Sequence, residues 1–461
     1  VSLINCFSKI IERIVYTRLM IFLEEGNFFY KYQFGFRKNY STQHAILALV
    51  NKVTEALANN RVAMIVLLDI RKCFDMVDRN ILLIKLEHYG IRGKCLDWFR
   101  SYFSGRSQRM FFNGISSSKL EQIILGVLQG SVLGVLLFLI FINDIGKCCP
   151  NLISFLFADD NASYLEADNI YDLIALANQE IPLLIEWYSA NNLLLHPKKT
   201  KTILFKTPRQ VFNADELNLI SDFPVYIDLN NAGENILDKI SNLKIIPHHG
   251  ESFARHLGIL IDPTLSYKYH FASLYTRVSR AVFSIKQMRN LLDGRHLTLL
   301  YNAYCKSIIE YASVLFTGVL DVYLRPIFLL QKRAVRIITN SSYRAETRDL
   351  FKRTRILPID KLIIYNAAKT MFDYRRGLLP ACFNGTWKTN REVREAREGD
   401  RILRNDNDYS VGTFRTNYLR DQPLNKLPII WNSLPEAIKL SLTRKQFNRS
   451  LFEHLLNGIN H

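Results

Sequence analysis

Ile153-Ser154-Phe155-Leu156-Phe157-Ala158-Asp159-Asp160-Asn161-Ala162-Ser163-Tyr164-Leu165 alternates apolar and small polar residues around two adjacent acids. Alternation with period two predicts a hairpin over 153–165 with Asp159 and Asp160 at its turn. A second acid-ended run lies about ninety residues earlier. Ala63-Met64-Ile65-Val66-Leu67-Leu68 is continuous and apolar, as a fully buried strand should be, and it stops at Asp69. An acid at the end of a buried strand has a rigid sheet behind it. Two adjacent acids facing a third can hold two divalent cations ~3.5–4 Å apart, the spacing that clamps both oxygens of an in-line phosphoryl displacement. Taken alone, Asp-Asp is an ordinary turn, because Asp tolerates turn geometry, and Asp69 reads as readily as a cap. The surrounding chain decides between these readings.

The chain has 461 residues, 48% of them hydrophobic, ample for a large core and for about two to four domains. Mean hydropathy is near zero, which excludes a largely disordered chain. Lys and Arg outnumber Asp and Glu by 60 to 42, a net charge of +18. Such a surplus points to a polyanionic partner, nucleic acid first and anionic membrane second. Seven scattered cysteines supply neither a zinc ligand set nor a disulfide framework, so a reducing intracellular compartment is expected. Residues 1–20 lack the pattern of a signal peptide, and we expect Val1 to lie inside a longer protein. Ile123 to Ile142 carries only Gln129 and Ser131 as polar side chains, with Gly126, Gly130 and Gly134 at four-residue spacing. That pattern suits a packed membrane helix. The glycines and the Gln-Gly-Ser step suit a loop better, followed by a buried core helix over 136–142.

Helical periodicity covers 7–25, ending near Gly26, and 44–57; another helix starts near Asp78 or Asn80. A stripe from Ile170 to Trp187 contains Pro182, which should kink it. Thr202 to Phe205 reads as a strand, and 207–250 as a long insertion. Further helices are expected over 271–289, ended by Gly294, over 297–309, and over 327–338, opened by Pro326. Residues 331–355 hold eight basic residues against two acidic ones. With the basic face of 277–289 they read as surfaces for nucleic-acid backbone. Residues 388–412 read as flexible and 429–456 as a helical tail.

Several further segments stand in a fixed order with these. QFGFRKNYSTQHA (33–45) is aromatic, glycine-containing and basic. LDIRKCFDMVD (68–78) contains Asp69, and GVLQGSVLGVLLFLIFINDI (126–145) carries glycines that let a backbone approach a base pair or sugar closely. FADD (157–160) follows, then NLLLHPKKTKTILF (192–205), which sets lysines before a strand, and HLGILID (256–262). Together with VSLINCFSKIIERIVYTRL (1–19) and LQKRAVRIIT (330–339), this ordered set resembles the reverse transcriptase of non-LTR, LINE-like retrotransposons. The resemblance covers about residues 3–350.

The resemblance implies an α+β right-hand polymerase: fingers, a palm with an antiparallel sheet, a thumb, then an α-helical C-terminal region. The implied boundaries are partial fingers at 1–60, palm with interleaved fingers at 61–265, thumb at 270–345 and a helical region at 346–461. It implies RNA-directed DNA polymerase activity with an RNA template, a DNA primer and dNTPs, without membrane, and with an endonuclease domain upstream in the full element. It further implies action inside the cell, in the nucleus during insertion, although no targeting signal is present. Two Mg2+ ions would be ligated by Asp69, Asp159 and Asp160, with the Ile70 carbonyl helping. Phe74 would be the steric gate against a ribose 2′-hydroxyl. Gln129, Gly130 and Ser131 would touch template and nucleotide, and Arg37 or Lys38 would lie near the triphosphate. Lys199 would protonate pyrophosphate, and Leu257 and Gly258 would form the primer grip. The chain departs from the family at Leu128 and Val135, where Pro is usual, and at Cys73, where Ala is usual. Those departures leave open a catalytically inactive nucleic-acid-binding relic.

Overall fold

In the computed structural model the described residues are 5–109, 111–112, 115–116, 121–128, 130–196, 200–216, 225–226, 242–243, 253–396 and 406–459. They form two compact units. The first gathers Val1–Ser41, Met64–Thr202 and Phe212–Pro247; the second gathers Thr42–Ala63, Ile203–Val211 and His248–His461.

A four-stranded sheet runs in the order Ile153–Phe157, Asp160–Ala167, Val62–Leu68, Lys201–Phe205. All seven residues of Val62–Leu68 are buried, so the apolar run has no polar face because the strand is covered on both sides. Ile153–Phe157 and Asp160–Ala167 pair antiparallel, from Ile153 opposite Tyr164 to Phe157 opposite Asp160. In the first unit, nine of the eleven residues of helix Val132–Ile142 are buried. It packs against helices Cys6–Glu25 and Arg79–His88, which makes it a core helix. No helix among the described residues is long and apolar enough to cross a membrane. Helix Ile170–Ala190 carries on through Pro182 without ending there.

The second unit is mainly helical: Thr42–Ala58, Lys268–Gln287, Gly294–Tyr301, Asp321–Ile338, Ile359–Arg375, Pro423–Asn432 and Arg444–Asn457. Trp431 and Phe447 are fully buried in it, with Phe372 stacked on Phe447 at 4.3 Å.

Three expectations are corrected here. Lys268–Gln287 ends at Met288, and Gly294 instead opens the next helix, because the Asp293 side chain accepts the His296 amide and caps it. Pro326 lies inside helix Asp321–Ile338 rather than at its start. The carbonyl deprived of its partner belongs to Val322, four residues earlier and 65% exposed, so water can take that bond. Within 388–412, Asn390–Glu395 is a helix with a full capping box between Thr389 and Glu392. Residues 397–405 lie outside the described residues, as does most of the expected insertion at 207–250.

Candidate active site

Asp69 follows directly on Val62–Leu68, and its backbone is fixed from the other side. Its carbonyl accepts the His196 amide at 2.8 Å, and the Arg71 amide donates to Leu194 at 2.7 Å. These two bonds flank the Ile70–Leu195 bridge, so neither uses the Ile70 carbonyl.

The chain then turns tightly through Lys72, whose φ is +45°. That turn buries Cys73 beside the Asp159 carboxylate. Burial first, and the charge of Asp159 second, push the Cys73 thiol up to about 12. It therefore stays protonated at neutral pH.

Asp159 sits in the turn of the hairpin, and Asp160 opens the return strand opposite Phe157. Ala158 takes a left-handed φ of +55° to close the turn. Residues 32–35 run alongside: the Leu156 amide donates to Tyr32 at 2.9 Å and the Phe34 amide to Leu156 at 2.8 Å. Gly35 is required there, since a Cβ would come 2.4 Å from the Ala158 nitrogen. Arg37 is committed to this scaffold, because its guanidinium holds Glu24 at 2.8 Å and lies over the rings of Phe29 and Tyr40. Lys38 is exposed.

Phe74 is half-buried, with its ring 4.7 Å from that of Phe138. Its carbonyl accepts the Val127 amide at 2.8 Å, and Val77 accepts the Gly126 amide at 2.8 Å. Gly126 has φ +85°, and a Cβ on it would strike Asp75 backbone atoms at 2.8 and 2.9 Å. This glycine lets the loop lie on the Asp69 turn. Gly130 is exposed with φ +93°. Ser131 is buried and caps Val132–Ile142, its hydroxyl accepting the Gly134 amide at 2.8 Å. Gln129 and Lys199 lie outside the described residues.

Two supporting residues escape a reading of motifs. Arg79 is 8% exposed; its guanidinium donates to the carbonyls of Gly126, Phe103, Ile123 and Leu125. Glu12 is 1% exposed; it accepts the Val132 amide at 2.8 Å and the Tyr102 hydroxyl at 2.8 Å. A carboxylate at a helix N-terminus is favoured by the dipole, so Glu12 fixes the end of the loop that Arg79 fixes at its start. Sequence did carry one signal. Glu12 is in phase with Leu19 and Leu23, the other buried residues of its helix. Arg79 follows the Asp78 cap and reads as an ordinary first-turn cation.

In the second unit, Leu257 and Gly258 form the turn between strands Ala254–His256 and Ile259–Ile261, with φ +44° and +83°. The Tyr311 hydroxyl donates to the Leu257 carbonyl at 2.5 Å and fixes that turn.

Among the described residues, no group of three or more His, Cys, Asp or Glu lies close enough together to hold a metal ion. The carboxylates nevertheless supply hard oxygen donors of the kind Mg2+ takes. The one soft neighbour, the Cys73 thiol, is held protonated.

Comparison with known proteins agrees with the motifs. The RNA-directed DNA polymerase from mobile element jockey of Drosophila funebris is 26% identical over 360 residues, 76% of this chain and 36% of that protein. The probable RNA-directed DNA polymerase from transposon BS of Drosophila melanogaster is 26% identical over 402 residues, 82% of this chain and 40% of that protein. The chain thus spans well under half the length of these relatives. A telomerase from Candida tropicalis superposes at TM-score 0.34 with 12% identity, over 75% of this chain and 56% of that one, too loosely to carry detail across. The family described as reverse transcriptase (RNA-dependent DNA polymerase) matches residues 1–243, more than half of the sequence, and the chain belongs to it.

Proposed function

We propose that this chain is the RNA-directed DNA polymerase of a non-LTR retrotransposon, joining dNTPs to a primer 3′-hydroxyl on an RNA template. The observation that carries the reading is a convergence within the first unit. Cys73 of the Asp69 turn is buried beside Asp159, and the Phe74–Val127 and Val77–Gly126 bonds tie the same turn to the loop before Ser131. Asp69, Asp159 and Asp160, with the Ile70 carbonyl, would hold two Mg2+. Such cations, when bound, stabilise charge on the attacking and leaving oxygens of an in-line displacement.

The chain's own residues position and select. The Phe74 ring, braced by Phe138, leaves no room for a 2′-hydroxyl. Arg79 holds Gly126 and Glu12 holds the Val132 amide, and Gly130 and Ser131 between them would face the template base. Arg37 is engaged by Glu24, so we assign the contact with the triphosphate to Lys38. Lys199 is proposed as the acid for pyrophosphate, and the Leu257–Gly258 turn as the grip on the primer. The same reading has the protein act in the nucleus during insertion.

The test is primer extension on an RNA template. Asp69→Asn or Asp159→Asn should lower extension at least about a hundredfold with folding intact. If Asp159→Asn extends at the parent rate, the assignment fails. The relic reading, favoured by Leu128 and Val135, requires that the parent chain itself extend nothing.

A further inference from the structure

Helices Lys268–Gln287 and Asp321–Ile338 of the second unit pack against each other and flank a groove of about 1330 Å³. Sites for small molecules are ~300–1,000 Å³, so this one is large enough for a segment of polymer. Lys268, Lys286 and Arg289 line it from one side. Arg325, Lys332, Arg333 and Arg336 line it from the other, at spacings that put them on one helix face. Asp321 is the one carboxylate in the described lining. Among the described residues none of the seven cations is ion-paired. Seven positive charges against one carboxylate around one concavity repel each other, and a polyanion would relieve that repulsion.

Charge alone does not account for the lining. The Tyr343 ring is 86% exposed and the Tyr275 ring 44%. Leu329, between the arginines, is 53% exposed. The Arg336 guanidinium fixes the approach to Tyr343: it donates to the Ala345 carbonyl at 3.0 and 2.9 Å and lies 5.7 Å from the ring. Exposed rings among cations suit a ligand with flat apolar faces strung on phosphates. A duplex keeps its base faces inside the stack and offers mainly phosphates.

We propose that this groove holds a single-stranded stretch of nucleic acid, its phosphates on the cations and its bases on Tyr343 and Tyr275. The inference goes beyond the polymerase reading. It needs neither the carboxylates nor a metal ion, and it would hold for a relic as well as for an enzyme.

The experiment measures binding of the full chain to a fluorescent, unstructured RNA oligonucleotide. EDTA is present and dNTPs are absent, so loss of polymerase activity cannot affect the result. The same-sequence DNA strand, an RNA–DNA duplex and heparin are compared. The parent should bind either single strand more tightly than the duplex, and any preference between RNA and DNA names the natural ligand. Tyr343→Ala should weaken single-strand binding roughly 5- to 100-fold without changing the salt slope, and Tyr343→Phe should restore it. Arg325→Gln with Arg333→Gln should make the plot of log K against log salt shallower by roughly 1.4 units. Thermal melting confirms that the variants fold. Parental affinity in Tyr343→Ala, equal binding of duplex, or an equal loss of heparin binding in Tyr343→Ala would each overturn the proposal.

Discussion

Replacing Arg79 by methionine keeps the length of the side chain and removes the guanidinium that reaches four backbone carbonyls. Among the described residues no carboxylate pairs with Arg79, so backbone oxygens alone compensate its charge. A hydrogen bond to a charged group contributes ~1.5–3 kcal/mol, and a buried carbonyl left without a donor costs ~1–3 kcal/mol. Four such groups sum to far more than is expected in practice, because methionine no longer requires a buried charge to be desolvated and water can reach the exposed ends of the loop. A net loss of about 3 kcal/mol is therefore expected. The functional effect should be separable from it. Gly126 begins the loop that ends at Ser131, and a displacement of ~1 Å at a reacting centre costs ~10²-fold in rate. The assay pairs urea unfolding with steady-state primer extension at a temperature where the variant is fully folded. Arg79→Met should unfold at lower urea and show reduced turnover. Arg79→Lys should recover only part of each, since one ammonium cannot reproduce a fork of donors. The reasoning is refuted if Arg79→Met unfolds at the parental urea concentration and extends primers at the parental rate.

Phe74→Val should narrow the preference for deoxynucleotides over ribonucleotides, read in a competition assay; unchanged discrimination would move the gate elsewhere. Leu128→Pro should raise turnover by up to about tenfold by restricting the loop, while the Leu128 carbonyl can still accept the Ser131 amide; an unchanged rate would make the proline dispensable here. His256 and His270 are each brought down to about 4, chiefly by burial, with Arg277 and Arg255 adding to the effect at His270. The unfolded chain therefore binds more protons below its own value of ~6.5, so their stabilisation is complete above that pH and is lost as pH falls towards 4, by up to about 3 kcal/mol each. A urea midpoint that is flat between pH 7 and 4.5, or the same acid loss in His256→Gln with His270→Gln, would contradict it.

The hairpin at 153–165, the strand ending at Asp69 and the helix after Ser131 were legible because each is a local pattern whose period survives folding. The helix boundaries at 288–294 and 321–326 were not. Gly and Pro are strong punctuation on average, but Asp293 supplied a better cap than Gly294 a stop, and Pro326 is tolerated near the exposed first turn that holds Val322. At the site, carboxylates could be named because only a few residue types do that chemistry. The residues that hold the site could not. Gly35 matters because of Ala158, Glu12 because of Val132, and Arg79 because of four carbonyls at positions 103–126. Each of these partnerships spans between 24 and 123 residues, and no local pattern records it.

The same long-range contacts bear on whether the departures from the family signify decay. Cys73 stands where a small alanine is usual, and it is buried beside Asp159 with its thiol held protonated. Val135 stands where proline is usual, as the fourth residue of helix Val132–Ile142. That is the first position whose amide can pair within the helix, with the carbonyl of the Ser131 cap, so valine adds a bond that proline forgoes. Gly134 beside it leaves no room for a side chain, since a Cβ would meet the Ser131 hydroxyl at 2.4 Å. At both places the residue present fits the contacts its neighbours make. Random loss would be expected to leave orphaned partners instead: an uncapped helix, an unfilled space beside Asp159, or a strained turn without its glycine. These positions carry none of them.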